Sequence, residues 1–132
     1  MKFIRWKSDY SVKNKLIDSQ HKELNEIINQ LYELDPEKDS KQIRKLLNDF
    51  VDKLEEHFDT ENNLMKESDF PGFFSHKLEH ERALRKYSSW VDSMLKKKKL
   101  ELDKDFFASY KRWFENHHNF QDSKLGMFLS NK

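Results

Sequence analysis

Seven residues stand out for the chemistry that their types and spacing allow. His57 and Glu61 are four residues apart, and so are His76 and His80. On a helix, residues at i and i+4 share a face, so each pair reaches one site together. His21, His117 and Asp122 add two imidazoles and a carboxylate; His117 and Asp122 are five apart, which expects a helix end or bend that turns the Asp122 carboxylate back. Imidazole with carboxylate, and no sulfur donor, suits iron, manganese or zinc. Seven side chains are too many for one ion. With both carboxylates bridging two octahedral ions and a solvent oxygen between them, these ligands fill all but about one of roughly 12 positions. An open position beside a bridging oxygen suits a small ligand. The alternative, hydrogen-bonded core histidines, would bury these groups at several kcal/mol of desolvation. His118 follows His117 directly and points elsewhere, as a surface or supporting side chain.

Helical stripes must carry these residues. His21, Leu24, Ile28 and Leu31 form the first. Ile43, Leu47, Phe50, Leu54, His57, Glu61 and Leu64 form the second. Phe73, His76, His80, Ala83, Tyr87, Val91 and Met94 form the third, and Phe106, Tyr110, Trp113, His117 and Phe120 the fourth. The steps of 3 and 4 mark one inward face per helix. Asp18 is the expected N-cap of the first helix, and Pro36 closes its exit. Asp39-Ser40-Lys41-Gln42 reads as a capping box, and Asp69-Phe70-Pro71-Gly72 as a turn with Pro71 at the next helix start. The expected all-α fold is an antiparallel up-down-up-down four-helix bundle in a single domain, 1–132. It has an arm over 1–17, helices over about 18–35, 40–67, 71–98 and 103–121, and a short tail over 122–132. Alternation places all seven polar residues at one end.

The remaining composition narrows the function. The 25 basic and 24 acidic residues nearly balance, which describes a solvated surface and not a nucleic-acid footprint. The run Lys96–Lys99 fits a solvated helix C-terminus. There is no cysteine, which excludes disulfides, thiolate zinc sites and iron–sulfur clusters. Met1–Val12 is charged and lacks an apolar signal core, and no stretch approaches the length of a membrane span. The expectation is a cytoplasmic protein without membrane or nucleic-acid partners.

At these motifs the sequence resembles the hemerythrin family over nearly its whole length. The matching residues are Trp6, Tyr10-Ser11-Val12 and Ile17-Asp18-Ser19-Gln20-His21-Lys22-Glu23-Leu24. Then come His57-Phe58-Asp59-Thr60-Glu61-Asn62-Asn63-Leu64-Met65, Phe70-Pro71, His76 and His80, and lastly Trp113, Asn116-His117 and Asp122. The resemblance implies two iron ions with a bridging oxo or hydroxo group. One would be held by His76, His80 and His117, the other by His21 and His57, with Glu61 and Asp122 bridging. It implies that dioxygen binds the five-coordinate iron reversibly as a hydroperoxide, the proton coming from the bridging hydroxide. Such a protein stores, delivers or scavenges oxygen and is not an enzyme. The competing readings are a sensor of oxygen, nitric oxide or iron, and a di-iron oxidase or peroxidase; the ferritin-like version of the latter uses more carboxylates than are found here. Phe58 and Trp113 are candidate walls of the oxygen pocket. Two departures stand out: Lys13-Asn14 replaces a usual glycine after Tyr-Ser-Val, and Phe114 stands where the family commonly carries leucine near that pocket.

Overall fold

The computed structural model describes residues 3–7, 10–12, 14–117 and 122–130. Helix α1 spans Lys15–Glu33, α2 Ser40–Glu67, α3 Phe73–Lys96, α4 Lys104–Asn116 and α5 Ser123–Ser130. Among the described residues there is no strand, and no helix is long and apolar enough to cross a membrane.

Cross-helix contacts give the direction of each element. Gln20 near the start of α1 meets Thr60 late in α2. Arg44 at the start of α2 donates to Leu95 O at the end of α3, while Asn62 meets His80 near the opposite end. Tyr87 pairs with Ser109, and Trp90 donates to Asp103 at the N-cap of α4. Start meets end in every pair, so α1 to α4 run up, down, up and down. The expected bundle is the observed one.

Local boundaries depart from expectation in instructive ways. Helix α1 begins three residues early because the Asn14 side chain, not Asp18, accepts from Ile17 N at 3.0 Å. Asp18 instead anchors the arm, accepting from Ser11 Oγ at 2.6 Å and Val12 N at 2.9 Å. Asp39 makes no capping bond to α2; its carboxylate accepts from Asp35 N within the preceding loop. Between α2 and α3 the chain reverses through a Schellman turn. Phe70 N bonds to Met65 O and Asp69 N to Lys66 O, with Asp69 at φ 56, a left-handed conformation that aspartate tolerates. Pro71 falls in that turn, ahead of the α3 N-cap at Gly72.

The stretch expected as a tail contains α5. Its glycine is not a breaker but a contact: a Cβ on Gly126 would lie 2.2 Å from Val12 O. Leu125 and Leu129 pack with Val12, Ile17, Met65 and Phe70 in a small apolar cluster of their own. The expected fourth helix stops at Asn116; Lys13, His118, Phe120 and Gln121 lie outside the described residues.

The main core lies toward the other end. Phe50 meets Tyr87, Phe106 and Tyr110 edge-on at ring centroids 6.0, 5.6 and 5.5 Å apart, the arrangement that ring quadrupoles favour. Tyr110, Tyr87 and Asn29 are paired here, while Asn25 Nδ2 has no hydrogen-bond partner among the described residues. Tyr110 Oη donates to Asn25 Oδ1 at 2.7 Å. Asn29 exchanges two hydrogen bonds with the backbone of Ile4, both 2.7 Å, and so ties the arm to α1.

Candidate metal centre

All seven polar residues singled out by spacing lie within one buried cluster. Each is at most 2% exposed. Helix α1 supplies His21 from its second turn, α2 supplies His57 and Glu61 on one face, and α3 supplies His76 and His80 on one face. His117 follows the end of α4 and Asp122 precedes α5, and each has π-helical backbone.

The cluster divides into two sets. Glu61, His76, His80, His117 and Asp122 have donor atoms mutually within 4.8 Å, and so do His21, His57, Glu61 and Asp122. Only the two carboxylates belong to both. Glu61 turns Oε1 toward His80, His117 and His76 at 2.9, 3.4 and 3.5 Å. Its Oε2 faces His57 at 3.6 Å. Asp122 does the same: Oδ1 faces His117 and His76 at 2.9 and 3.2 Å, and Oδ2 faces His21 at 2.8 Å. One oxygen of each carboxylate therefore serves each set, the disposition of a carboxylate that bridges two ions.

The donor atoms suit cations better than they suit one another. Glu61 Oε2, both Asp122 oxygens, His80 Nε2 and both His76 nitrogens are buried without a hydrogen bond of usable geometry. His21 and His57 present Nε2 atoms to each other at 3.1 Å. Buried polar atoms left in this state are costly, and a metal ion between them satisfies several at once.

Titration behaviour reflects the same competition. Burial holds His57 down to about 4, against the pull of Glu61. Burial and Asp122 both oppose ionisation of Glu61, yet His57, His117 and His76 hold its carboxyl well below the usual range. Burial also opposes a charged His117, but Asp122, Glu61 and Glu79 together raise it well above an ordinary imidazole. Protons and metal ions compete for these lone pairs.

Three supporting residues were not singled out by spacing. His57 Nδ1–H donates to Gln20 Oε1 at 2.9 Å, His80 Nδ1–H to Asn62 Oδ1 at 2.9 Å, and His117 Nδ1–H to Glu79 Oε1 at 3.1 Å. Each bond sets a tautomer that leaves Nε2 free for a metal. Gln20, Asn62 and Glu79 sit beside His21, Glu61 and His80 in the chain, but each serves a histidine on a different helix. Adjacency to a ligand was the available signal; the partner was not.

Aromatic rings cover the cluster. Phe58 stacks on His80 at 4.2 Å and lies 5.8 Å from His57. Trp113 stacks on His117 at 4.9 Å. Phe114 meets His21 edge-on at 5.3 Å, so it lies on the side of the two-histidine set.

Comparison with known proteins agrees with this geometry. The Hemerythrin HHE cation binding domain profile matches residues 12–129. The chain belongs to the hemerythrin family. It is 31% identical over 107 residues to a bacteriohemerythrin of Aquifex aeolicus (strain VF5), covering 80% of this chain and 82% of that protein. A bacteriohemerythrin of Pseudomonas aeruginosa (strain LESB58) is 30% identical over 90 residues, or 68% of this chain and 59% of that one. Among solved structures, wild-type hemerythrin superimposes with a TM-score of 0.87 at 22% identity, covering 97% of this chain and 98% of that chain. An alanine variant of hemerythrin gives 0.89 at 23% identity over 98% and 99%. These structures share the bundle, and the buried histidine–carboxylate cluster suits the di-iron site associated with the family.

Proposed function

We propose that this chain is a non-haem di-iron protein that binds dioxygen reversibly, on a single hemerythrin domain, for storage, delivery or scavenging. His76, His80 and His117 would hold one iron and His21 and His57 the other, with Glu61 and Asp122 shared between them. The observation that carries this reading is the division of each carboxylate, one oxygen to each histidine set. With one histidine fewer, the ion held by His21 and His57 would have room for a small-molecule ligand.

Iron with its bridging oxygen supplies the redox change and the coordination position for dioxygen. The chain supplies orientation, water exclusion and charge balance. Gln20, Asn62 and Glu79 hold three rings in the metal-binding tautomer. Phe114 and Phe58 flank the two-histidine set and keep bulk water from it. A dry, low-dielectric site strengthens the electrostatic hold on a bound anion. Among the described residues, the carboxylates at the cluster are the two shared ones and Glu79, which His117 engages, and this supports carriage over turnover.

Iron analysis with anaerobic and aerobic spectroscopy tests the proposal. The purified protein is expected to hold about two irons per chain, the ion count its shared carboxylates suit. The reduced, colourless form is expected to gain a visible charge-transfer band in air and lose it when oxygen is removed. Zinc alone, or no metal, overturns the proposal. Direct passage to the ferric form with no reversible band favours an oxidase, a peroxidase or a sensor of oxygen, nitric oxide or iron.

A further inference from the structure

The three side chains that accept from the histidines' outer nitrogens are not chemically equivalent. Gln20 and Asn62 are neutral amides, whereas Glu79 is a carboxylate. Glu79 faces only the three-histidine set, through His117. On the other side, His57 has the neutral Gln20, which Thr60 holds in turn at 3.0 Å. His21 Nδ1 has no hydrogen-bond partner among the described residues. The outer ring of partners is thus charged on one side of the cluster and uncharged on the other.

This asymmetry has a chemical consequence. A carboxylate that accepts Nδ1–H makes the opposite nitrogen a stronger donor to a metal. It also places a negative charge one imidazole away from the ion. A more electron-rich ligand set favours the more positive oxidation state. Glu79 is 34% exposed, so one side of its carboxylate stays solvated and retaining its charge does not carry the cost that applies to the fully buried Glu61 and Asp122.

We propose that Glu79 is a positioning residue that makes the two irons unequal: acting through His117, it biases the three-histidine ion toward the ferric state. The proposal rests on the di-iron reading above. It predicts that Glu79 tunes the reduction potential of the pair, and with it how readily the oxygen-bound protein passes irreversibly to the ferric form.

Substitution separates charge from orientation. Glu79→Gln keeps an oxygen acceptor for His117 and removes the charge. Asn62→Asp keeps an acceptor for His80 and adds a charge on the same ion. Iron content is read first, then the ferric–ferrous equilibrium by spectroelectrochemistry. Glu79→Gln is expected to keep about two irons while its equilibrium moves about tenfold toward ferrous, or about 59 mV for a one-electron couple. Its autoxidation slows. Asn62→Asp is expected to move the equilibrium the opposite way. Glu79→Gln with full iron and an unmoved potential overturns the proposal and leaves the di-iron reading standing. The two variants moving in the same direction also overturn it, as does loss of iron from Glu79→Gln together with an unmoved potential in Asn62→Asp. Wild-type protein without iron overturns both readings.

Discussion

The two ends of the bundle interior are built from the same helical stripes, one heptad following another, and differ in how their polar atoms are settled. Away from the metal centre, Phe50, Tyr87, Phe106 and Tyr110 fill the space between helices, and each phenol that enters has a partner: Ser109 for Tyr87 and Asn25 for Tyr110. Burial raises the Tyr87 phenol to about 12 without leaving it unpaired. At the centre, equally deep residues of the same stripes crowd acceptors against acceptors, and six of their atoms on Glu61, Asp122, His76 and His80 find no hydrogen bond. Burial alone does not distinguish the two ends. Polar satisfaction does: among the described residues the first region pairs its phenols and leaves Asn25 Nδ2 unpaired, whereas the second gathers many unpaired atoms around one point that cations would satisfy.

Breaking each end in turn sharpens that contrast. The largest effect is expected from Asp122→Ala, which removes an oxygen from each set. Iron content should fall below one per chain, and with it the metal-linked stabilisation, about 4 kcal/mol for an ion supplied at a thousandfold excess over its Kd. Metal analysis and melting with and without chelator measure both; a variant that still holds two irons refutes the bridging role. At the opposite end, Phe50→Ala should cost about 3–5 kcal/mol in urea unfolding. Its folded fraction should keep full iron, and iron loss in parallel with stability would show that the ends are not separable.

Smaller changes probe the margins. Gln20→Ala leaves the His57 ring without its orienting acceptor. Metal affinity should weaken about 10- to 100-fold, seen by competition with a chromophoric chelator, with little change in the unfolding of the apo protein. An unchanged affinity would reduce Gln20 to a surface residue. Phe114→Leu tests the boundary itself, since Phe114 stacks against Tyr110 at 6.2 Å on one side and meets His21 edge-on on the other. A stability loss under about 1.5 kcal/mol is expected for this apolar exchange, together with an altered autoxidation rate. If that rate stays the same, the ring does not line the oxygen path.

Much of this was legible before any coordinates. Stripes of period 3.6 placed His57 with Glu61 and His76 with His80, and helix alternation placed all seven residues at one end. Both inferences rest on geometry that every α-helix shares. Other features were not legible. The shift of the α1 cap from Asp18 to Asn14 depended on a competing use for the Asp18 carboxylate, the backbone of the arm. Helix α5 was not legible in the expected tail, since what settles Gly126 there is its close approach to Val12, a tertiary contact.

The sequence by itself determined the chemistry: five imidazoles and two carboxylates, with His57–Glu61 and His76–His80 at a spacing that any right-handed helix converts into shared faces. Tertiary structure alone decided which oxygen of Glu61 and of Asp122 faces which histidines, and that Glu79, Asn62 and Gln20 reach across to His117, His80 and His57 and not to the ligands beside them in the chain. The physical reason is register. A half-buried polar residue next to a ligand has the same local propensity whatever lies opposite, and only the docking of one helix on another selects its partner.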